Sequence, residues 1–282
     1  MNFFLSSERL DDRRIGQKRI NELKDGKSKT LIIHYSCESF FNLKGRTPRV
    51  TSIVVKNRDN HTSISFSIHL MAQIKKRDIL NLSDEDFDYI EKEMLKDFYN
   101  YQKKHLTYRW VHWNMRNANF GFEAISNRYK ILGGHPKQID DQFKYDLPDT
   151  LGLIHTYGFE EHDKPSKGQL LNLSIRNRIS IKDALKGTEE AEAFGNKNFL
   201  ILHMSTTRKV EMIDRILTLQ EKNKLKTNAW LYQSCGITPS GIIEIVRNNW
   251  ILFLVWSLAM AIIGMALEPV VQTWFGTNNY GG

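Results

Sequence analysis

Ile251 to Leu267 (ILFLVWSLAMAIIGMAL) is a run of seventeen residues without a charge, set near the end of a polar, basic chain. A run of that length meets the lower edge of the roughly 17–25 apolar residues a transmembrane helix needs. A buried core helix would share the composition, but Trp250 and Trp274 flank the run as interfacial anchors do. The chain therefore reads as a soluble domain tied to a membrane by one helix over residues 250–275, with a short tail at 276–282.

The rest of the composition bounds what the soluble part can be. A chain of 282 residues with 41% apolar content can fill one substantial core or two small ones. Its formal net charge of +8 favours anionic partners, either nucleic acid or an acidic membrane face. The two cysteines, Cys37 and Cys235, make neither a disulfide framework nor a zinc pattern and fit a reducing compartment. The opening MNFFLSSERLDDRR is too short in its apolar part for a signal peptide, so no export signal is expected. Lys222, Lys224, Lys226 and Arg247 precede the span and no Lys or Arg follows it. The positive-inside rule then places the large domain in the cytoplasm, at the inner (cytoplasmic) membrane, with the tail outside.

Along the chain, residues 1–28 are a charged arm, amphipathic or partly disordered, and residues 222–249 a basic juxtamembrane linker. Between them, residues 29–221 show an α/β pattern. Leu31 to Tyr35 reads as a central strand, residues 50–55 as a second strand, and residues 62–70, with Ile64, Phe66, Ile68 and Leu70 alternating, as a third. KNRDN between the last two is a hairpin tip. Ser83 is a good N-cap, followed by acidic residues and the stripe Phe87, Ile90, Met94, Phe98 and Tyr101. A strand follows at Tyr108 to Trp113, then a helix over Phe120 to Lys130 ended by Gly133-Gly134. Residues 168–187 read as helix and loop, and residues 197–221 as a strong helix with Leu202, Val210, Ile213, Ile216 and Leu217 in the core.

This element order, with three short motifs, resembles the ribonuclease-H-like 3′–5′ exonucleases of the DnaQ or DEDD type. Their first strand ends in Asp-x-Glu; here it ends Ser36-Cys37-Glu38-Ser39-Phe40. Their second motif is a strand, then His-Asn-x-x-Phe-Asp opening a helix. Here Val111-His112-Trp113-Asn114 ends the strand, and Asn117-Ala118-Asn119-Phe120-Gly121 leads into the helix. Their third motif, Tyr-x-x-x-Asp-Val on a late helix, is matched by the stretch His203 to Val210, with Lys209 at the Asp position. Leu170 to Ile179 also resembles a segment those enzymes carry between the second and third motifs. The resemblance covers residues 30–220 and implies a ribonuclease-H-like mixed sheet flanked by helices.

The departures decide what the resemblance implies about chemistry. Such enzymes use clustered carboxylates to hold two metal ions. Position by position, the three Asp become Ser36, Gly121 and Lys209, and Glu38 alone remains. One carboxylate cannot hold two divalent ions, and a lysine would repel them, so the implied domain is catalytically inactive, with no metal or other cofactor. What the resemblance leaves is a groove for a single-stranded 3′ end, formed by Ser36, Glu38, Phe40, His112, Asn114, Asn117, Asn119, Phe120, Arg208 and Lys209. Several have a plainer reading. Glu38 fits a strand-end carboxylate, Asn117 and Asn119 fit a helix cap, and Arg208 and Lys209 fit a solvated face. His34 and His112 fit strand-end histidines, and of Tyr35, Phe40, Phe41, Trp110 and Trp113 only some can stack on bases.

In the membrane segment, Ser257, Ala261, Gly264, Glu268 and Gln272 share one helix face. Small residues allow close helix approach in lipid, and a glutamate on that face suits a bundle interior or a pore mouth. Glu268-Pro269 reads equally well as the plain end of the span. Together the parts resemble bacterial anti-phage effectors that sense nucleotide signals, among them the Hailong membrane effector controlled by single-stranded DNA oligomers. The expectation is a membrane-anchored oligonucleotide sensor whose partners are a single-stranded oligonucleotide, membrane lipid and further copies of itself, guessed as a tetramer. The alternatives are an active membrane-tethered nuclease using Glu38, Glu123, Asp140, Asp141 or Asp146, and a membrane-anchored protein-binding scaffold.

Overall fold

The computed structural model describes residues 8–26, 29–39, 43, 47–116, 119–247 and 249–276, the last five as backbone only. The chain forms two units. One is Ile15–Ala229; the other joins the residues up to Arg14 to those from Trp230 onward. In order, the elements are α1 (Glu8–Lys24), β1 (Thr30–Cys37), β2 (Val50–Asn57), β3 (Thr62–Ser67), α2 (Ile68–Ile74), α3 (Asp84–Lys103), β4 (Arg109–His112), α4 (Phe122–Ile131), β5 (Lys144–Asp146), α5 (Leu147–His155), α6 (Gln169–Arg176), α7 (Gly187–Gly195), α8 (Phe199–Glu221), α9 (Leu231–Cys235), α10 (Pro239–Arg247) and α11 (Trp250–Gly276).

The larger unit is built on one mixed sheet of five strands in the order β3-β2-β1-β4-β5. Strands β1, β2 and β3 form an antiparallel meander, whereas β4 lies parallel to β1 and β5 parallel to β4. Leu31, Ile32 and Ile33 of β1 are fully buried, as the unbroken apolar run of a strand covered on both faces requires. Leu31, Ile33 and Tyr35 face a core with Ile90, Met94 and Phe98 of α3. Ile32 faces the opposite core with Val111, Leu147, Leu151 and the α8 residues Val210, Ile213, Ile216 and Leu217. The five expected core residues of α8, Leu202 included, are all buried.

Local chemistry accounts for most boundaries. The Ser83 hydroxyl accepts the Asp86 N–H at 3.1 Å, capping α3 as its sequence predicts. The Asn60 side chain accepts the Thr62 N–H at 3.1 Å and closes the β2–β3 hairpin. The expected third strand is cut short: β3 stops at Ser67 and α2 begins at Ile68. Ile68, Met71 and Ala72 are buried at helical spacing, while Ile64 stays exposed. Alternating serine and isoleucine satisfies both periods, and packing of α2 on α3 decides between them. Helix α4 starts at Phe122, two residues later than expected, because Gly121 is its cap with φ +146°. Strand β5 has three residues, too few for any periodicity to betray it.

A buried ion pair joins α3, α4 and the start of β2. Glu91 is fully buried; its Oε1 accepts the Val50 N–H at 2.7 Å, and its Oε2 lies 2.6 Å from Arg128 Nη2. Arg128 also reaches Asp88 Oδ1 at 2.6 Å.

In the smaller unit, the expected basic linker carries two helices, α9 and α10. A Cβ on Gly241 would lie 2.4 Å from the Gly236 carbonyl oxygen, so α10 can turn back on α9 only with glycine there. In α11, the candidate span Trp250–Val271 is 22 residues long and contains an 18-residue window of mean hydropathy 2.3, none of it buried. That length is about 33 Å of helix, enough for a hydrocarbon core of about 30 Å. Ser257, Ala261, Gly264 and Glu268 are all exposed, the Ser257 hydroxyl donating to the Phe253 carbonyl at 2.8 Å. The Gln272 side chain lies outside the described residues.

Removing one half of the Glu91–Arg128 pair leaves a charge stranded in the core. Arg128→Met should lower stability by about 3 kcal/mol, read by thermal denaturation. The double variant Glu91→Met/Arg128→Met should recover part of that loss.

Candidate ligand site at the ends of the parallel strands

Ligands of α/β sheets gather where parallel strands end, since the backbone there is released into loops. In this sheet β1, β4 and β5 run parallel toward the same edge, β4 and β5 ending level with each other and β1 continuing four residues further, and polar side chains concentrate along that edge.

The first group surrounds the end of β1. The Ser36 hydroxyl is 2.6 Å from Thr206 Oγ1 and donates to Glu190 Oε1 at 3.4 Å. The same carboxylate oxygen accepts from Ser205 Oγ at 2.9 Å and from Lys209 Nζ at 2.7 Å. Ser36, Ser205, Thr206 and Lys209 are all buried, so strand and helix are joined through one carboxylate of α7. Two residues back in β1, His34 is buried with no partner for its Nδ1 among the described residues. Burial, then the nearby Lys209 ammonium, pushes its pKa down to about 3. Its ring faces Phe120 at 6.3 Å, and Phe120 stacks on Tyr35 at 4.5 Å.

A tight loop runs beside it. The Gly121 N–H donates to the Tyr35 hydroxyl at 2.9 Å, and Arg116 and Gly121 form an antiparallel bridge. A Cβ on Gly121 would meet the Met115 carbonyl oxygen at 2.2 Å. The close backbone approach and the positive φ both demand glycine.

The second group lies at the ends of β4 and β5. His112 Nδ1 accepts the Met115 N–H at 3.1 Å, which puts the ring proton on Nε2. Burial, helped by Lys144 and Arg116, pushes this histidine down to about 3, so it is neutral at physiological pH. Asp146 Oδ1 accepts the Asn114 N–H at 3.1 Å, and its Oδ2 lies 3.1 Å from Arg116 Nε. Arg116 and Arg19 both reach Asp149, at 3.1 and 2.8 Å. Burial pushes the Asp146 carboxyl up to about 6, against the Asn114 hydrogen bond and the Arg116 charge. These groups border an open cleft of about 480 Å³ that also meets Glu123, Asp141 and Lys144.

Of the residues singled out from sequence, Ser36 and Lys209 meet at Glu190, and His112 and Phe120 border the same strand ends. Glu38 is half-buried and its Oε2 accepts the Arg49 N–H at 3.4 Å, an ordinary use of a strand-end carboxylate. Asn114 contributes its backbone, with φ +53°, and Asn119 is exposed. Arg208 turns away: its Nε donates to the Lys182 carbonyl at 2.8 Å, and it borders a different cleft. Phe40 and Asn117 lie outside the described residues. Sequence reading missed Glu190 as a site residue, because its contacts reach between two helices and no local spacing marks them. Asp146, weighed only as a nuclease ligand, emerges as the half-buried partner of Asn114 and Arg116. Among the described residues no three histidine, cysteine or carboxylate side chains are grouped to hold a metal ion. No protein-family model matches the chain, and no curated protein matches it.

The raised Asp146 pKa has a definite sign. The folded state binds this proton more tightly than the unfolded chain, whose aspartate titrates near 4, so the contribution to stability falls as pH rises from about 4 to about 6. Asp146→Asn removes that titration. The melting temperature of the wild type should drop relative to the variant across that window, and the two curves should run parallel outside it.

Proposed function

We propose that the larger unit is a catalytically inactive ribonuclease-H-like domain that binds a single-stranded oligonucleotide and controls a membrane-embedded helix bundle in anti-phage defence. The observation that carries this reading is the Lys209–Glu190 pair. In the resemblance, Ser36 and Lys209 stand at two of the carboxylate positions, and both converge on one carboxylate that Lys209 already neutralises at 2.7 Å. A buried ammonium in that place repels divalent cations and keeps Glu190 Oε1 engaged. The element order supports the same reading: an antiparallel meander followed by a helical crossover to parallel strands.

The strand ends retain what a bound strand needs without chemistry. The exposed Asn114 loop and the half-buried Phe120 ring offer hydrogen bonding and stacking to a base. In this reading α11 crosses the inner (cytoplasmic) membrane with the larger unit in the cytoplasm, and several copies assemble through the face of Ser257, Ala261, Gly264, Glu268 and Gln272 into an ion-channel-like lesion.

The deciding experiment purifies the full chain in mild detergent, measures its ultraviolet absorbance ratio and identifies co-eluting nucleic acid by mass spectrometry. A short single-stranded oligonucleotide of defined composition is expected, with no magnesium- or manganese-dependent cleavage. Metal-dependent turnover that Glu38→Ala abolishes would make the protein a nuclease instead, and protein with no affinity for any strand would favour a scaffold. For the membrane part, Gly264 has open space around it. Gly264→Leu should therefore abolish toxicity in cells while leaving the melting of the larger unit unchanged; full toxicity would remove the packing face from the proposal.

A further inference from the structure

A second cleft lies on the opposite side of α8 from the Ser36 cluster. It has a volume of about 540 Å³ and runs between α8 and the loop that follows α6. Arg178, Arg208, Arg215 and Lys222 border it, with Glu211 as its one carboxylate. Glu211 is already engaged, holding Lys56 Nζ at 3.0 and 2.8 Å. Arg208 is 3.9 Å from Asp183. Arg178, Arg215 and Lys222 are exposed and have no ion-pair partner among the described residues. The cleft therefore concentrates positive charge that the fold does not use.

Its geometry selects among anions. Arg208, Arg215 and Lys222 recur every seven residues, so they lie on one face of α8 about 10 Å apart, in a row of about 21 Å. A row that long outruns one phosphate group and suits several in succession. Arg178 faces the row from the other wall, held by the tight turn that ends α6: its own φ is +56°, and the next N–H, of Ile179, donates to the Ser174 carbonyl at 2.9 Å. A concave, two-walled channel favours a flexible phosphodiester chain over a flat lipid surface.

We propose that this cleft carries the sugar-phosphate backbone of a single strand, as an electrostatic track separate from the Ser36–Glu190–Lys209 cluster. The inference rests on the oligonucleotide reading and adds to it where the chain of phosphates lies. It also assigns Arg208 a role that Lys209, paired internally, does not share.

The test uses the full chain in mild detergent with fluorescein-labelled single-stranded DNA and RNA 20-mers, titrated at several salt concentrations, and with a fluorescent ATP analogue in parallel. Three proteins are compared: wild type, the cleft variant Arg178→Gln/Arg215→Gln/Lys222→Gln, and a control of equal charge change on exposed sites, Lys103→Gln/Lys104→Gln/Lys130→Gln. The cleft variant should bind strands about tenfold or more weakly, and its slope of log affinity against log salt should shrink by about 2, close to 0.7 for each phosphate no longer neutralised. Wild-type binding with equal effects of the two triple variants would overturn the cleft while leaving the oligonucleotide reading intact. No binding of either strand by the wild type would overturn that reading, and the cleft with it. Loss of ATP-analogue binding in the cleft variant with unchanged strand binding would reassign the cleft to a small polyphosphate and overturn the proposal.

Discussion

Lys209 is buried with its Nζ 2.7 Å from the carboxylate of Glu190. A buried ammonium without a partner would be strongly destabilising, and this one sits between α8 and the end of the central strand. Its partner comes from α7, and the same carboxylate oxygen takes the hydroxyls of Ser36 and Ser205. One oxygen thus ties β1, α7 and α8 into a single polar knot where an open α/β sheet ordinarily receives its ligand. The neutral state of His34 follows from the same arrangement, since burial and the neighbouring ammonium both oppose a second positive charge.

The fold was legible where periodicity ran long. The buried run of β1, the capped stripe of α3 and the apolar face of α8 each extend over enough residues for one period to dominate. It failed where two periods agree with the same letters, as at residues 62–70, where packing of Met71 and Ala72 on α3 turns the chain into α2. It failed also for β5, whose three residues are held by pairing with β4 and by nothing local. The helices before α11 lie in a stretch whose charge suggested a linker; their stability depends on contacts such as the approach of Gly241 to Gly236.

The site was legible in part for a similar reason. Ser36 and Lys209 could be singled out because each ends or lines a recognisable element. Glu190 could not, since its significance arises from three contacts over separations of 15 to 154 residues. Asp146 was visible as a carboxylate but not as one drawn partly out of solvent. Arg208 and Lys209 are adjacent in sequence, yet about 100° of helical rotation sends one to the interior and the other to a solvent channel. Treating them as one basic patch merged two environments that the helix keeps apart.

Gly121 bears on the proposed loss of chemistry. In that reading it stands where a catalytic relative would carry a carboxylate, and the chain there leaves no room even for a methyl group, with the Met115 carbonyl 2.2 Å from where a Cβ would be. An Asp at this position would displace the Met115 backbone and break the bridge to Arg116 and the hydrogen bond to Tyr35. At Ser36 and Lys209 the same reading differs from a carboxylate by the side chain alone. A backbone packed this closely excludes any side chain at position 121, so the loop holds one conformation and one residue type at the edge of the cleft, whatever ligand the cleft takes.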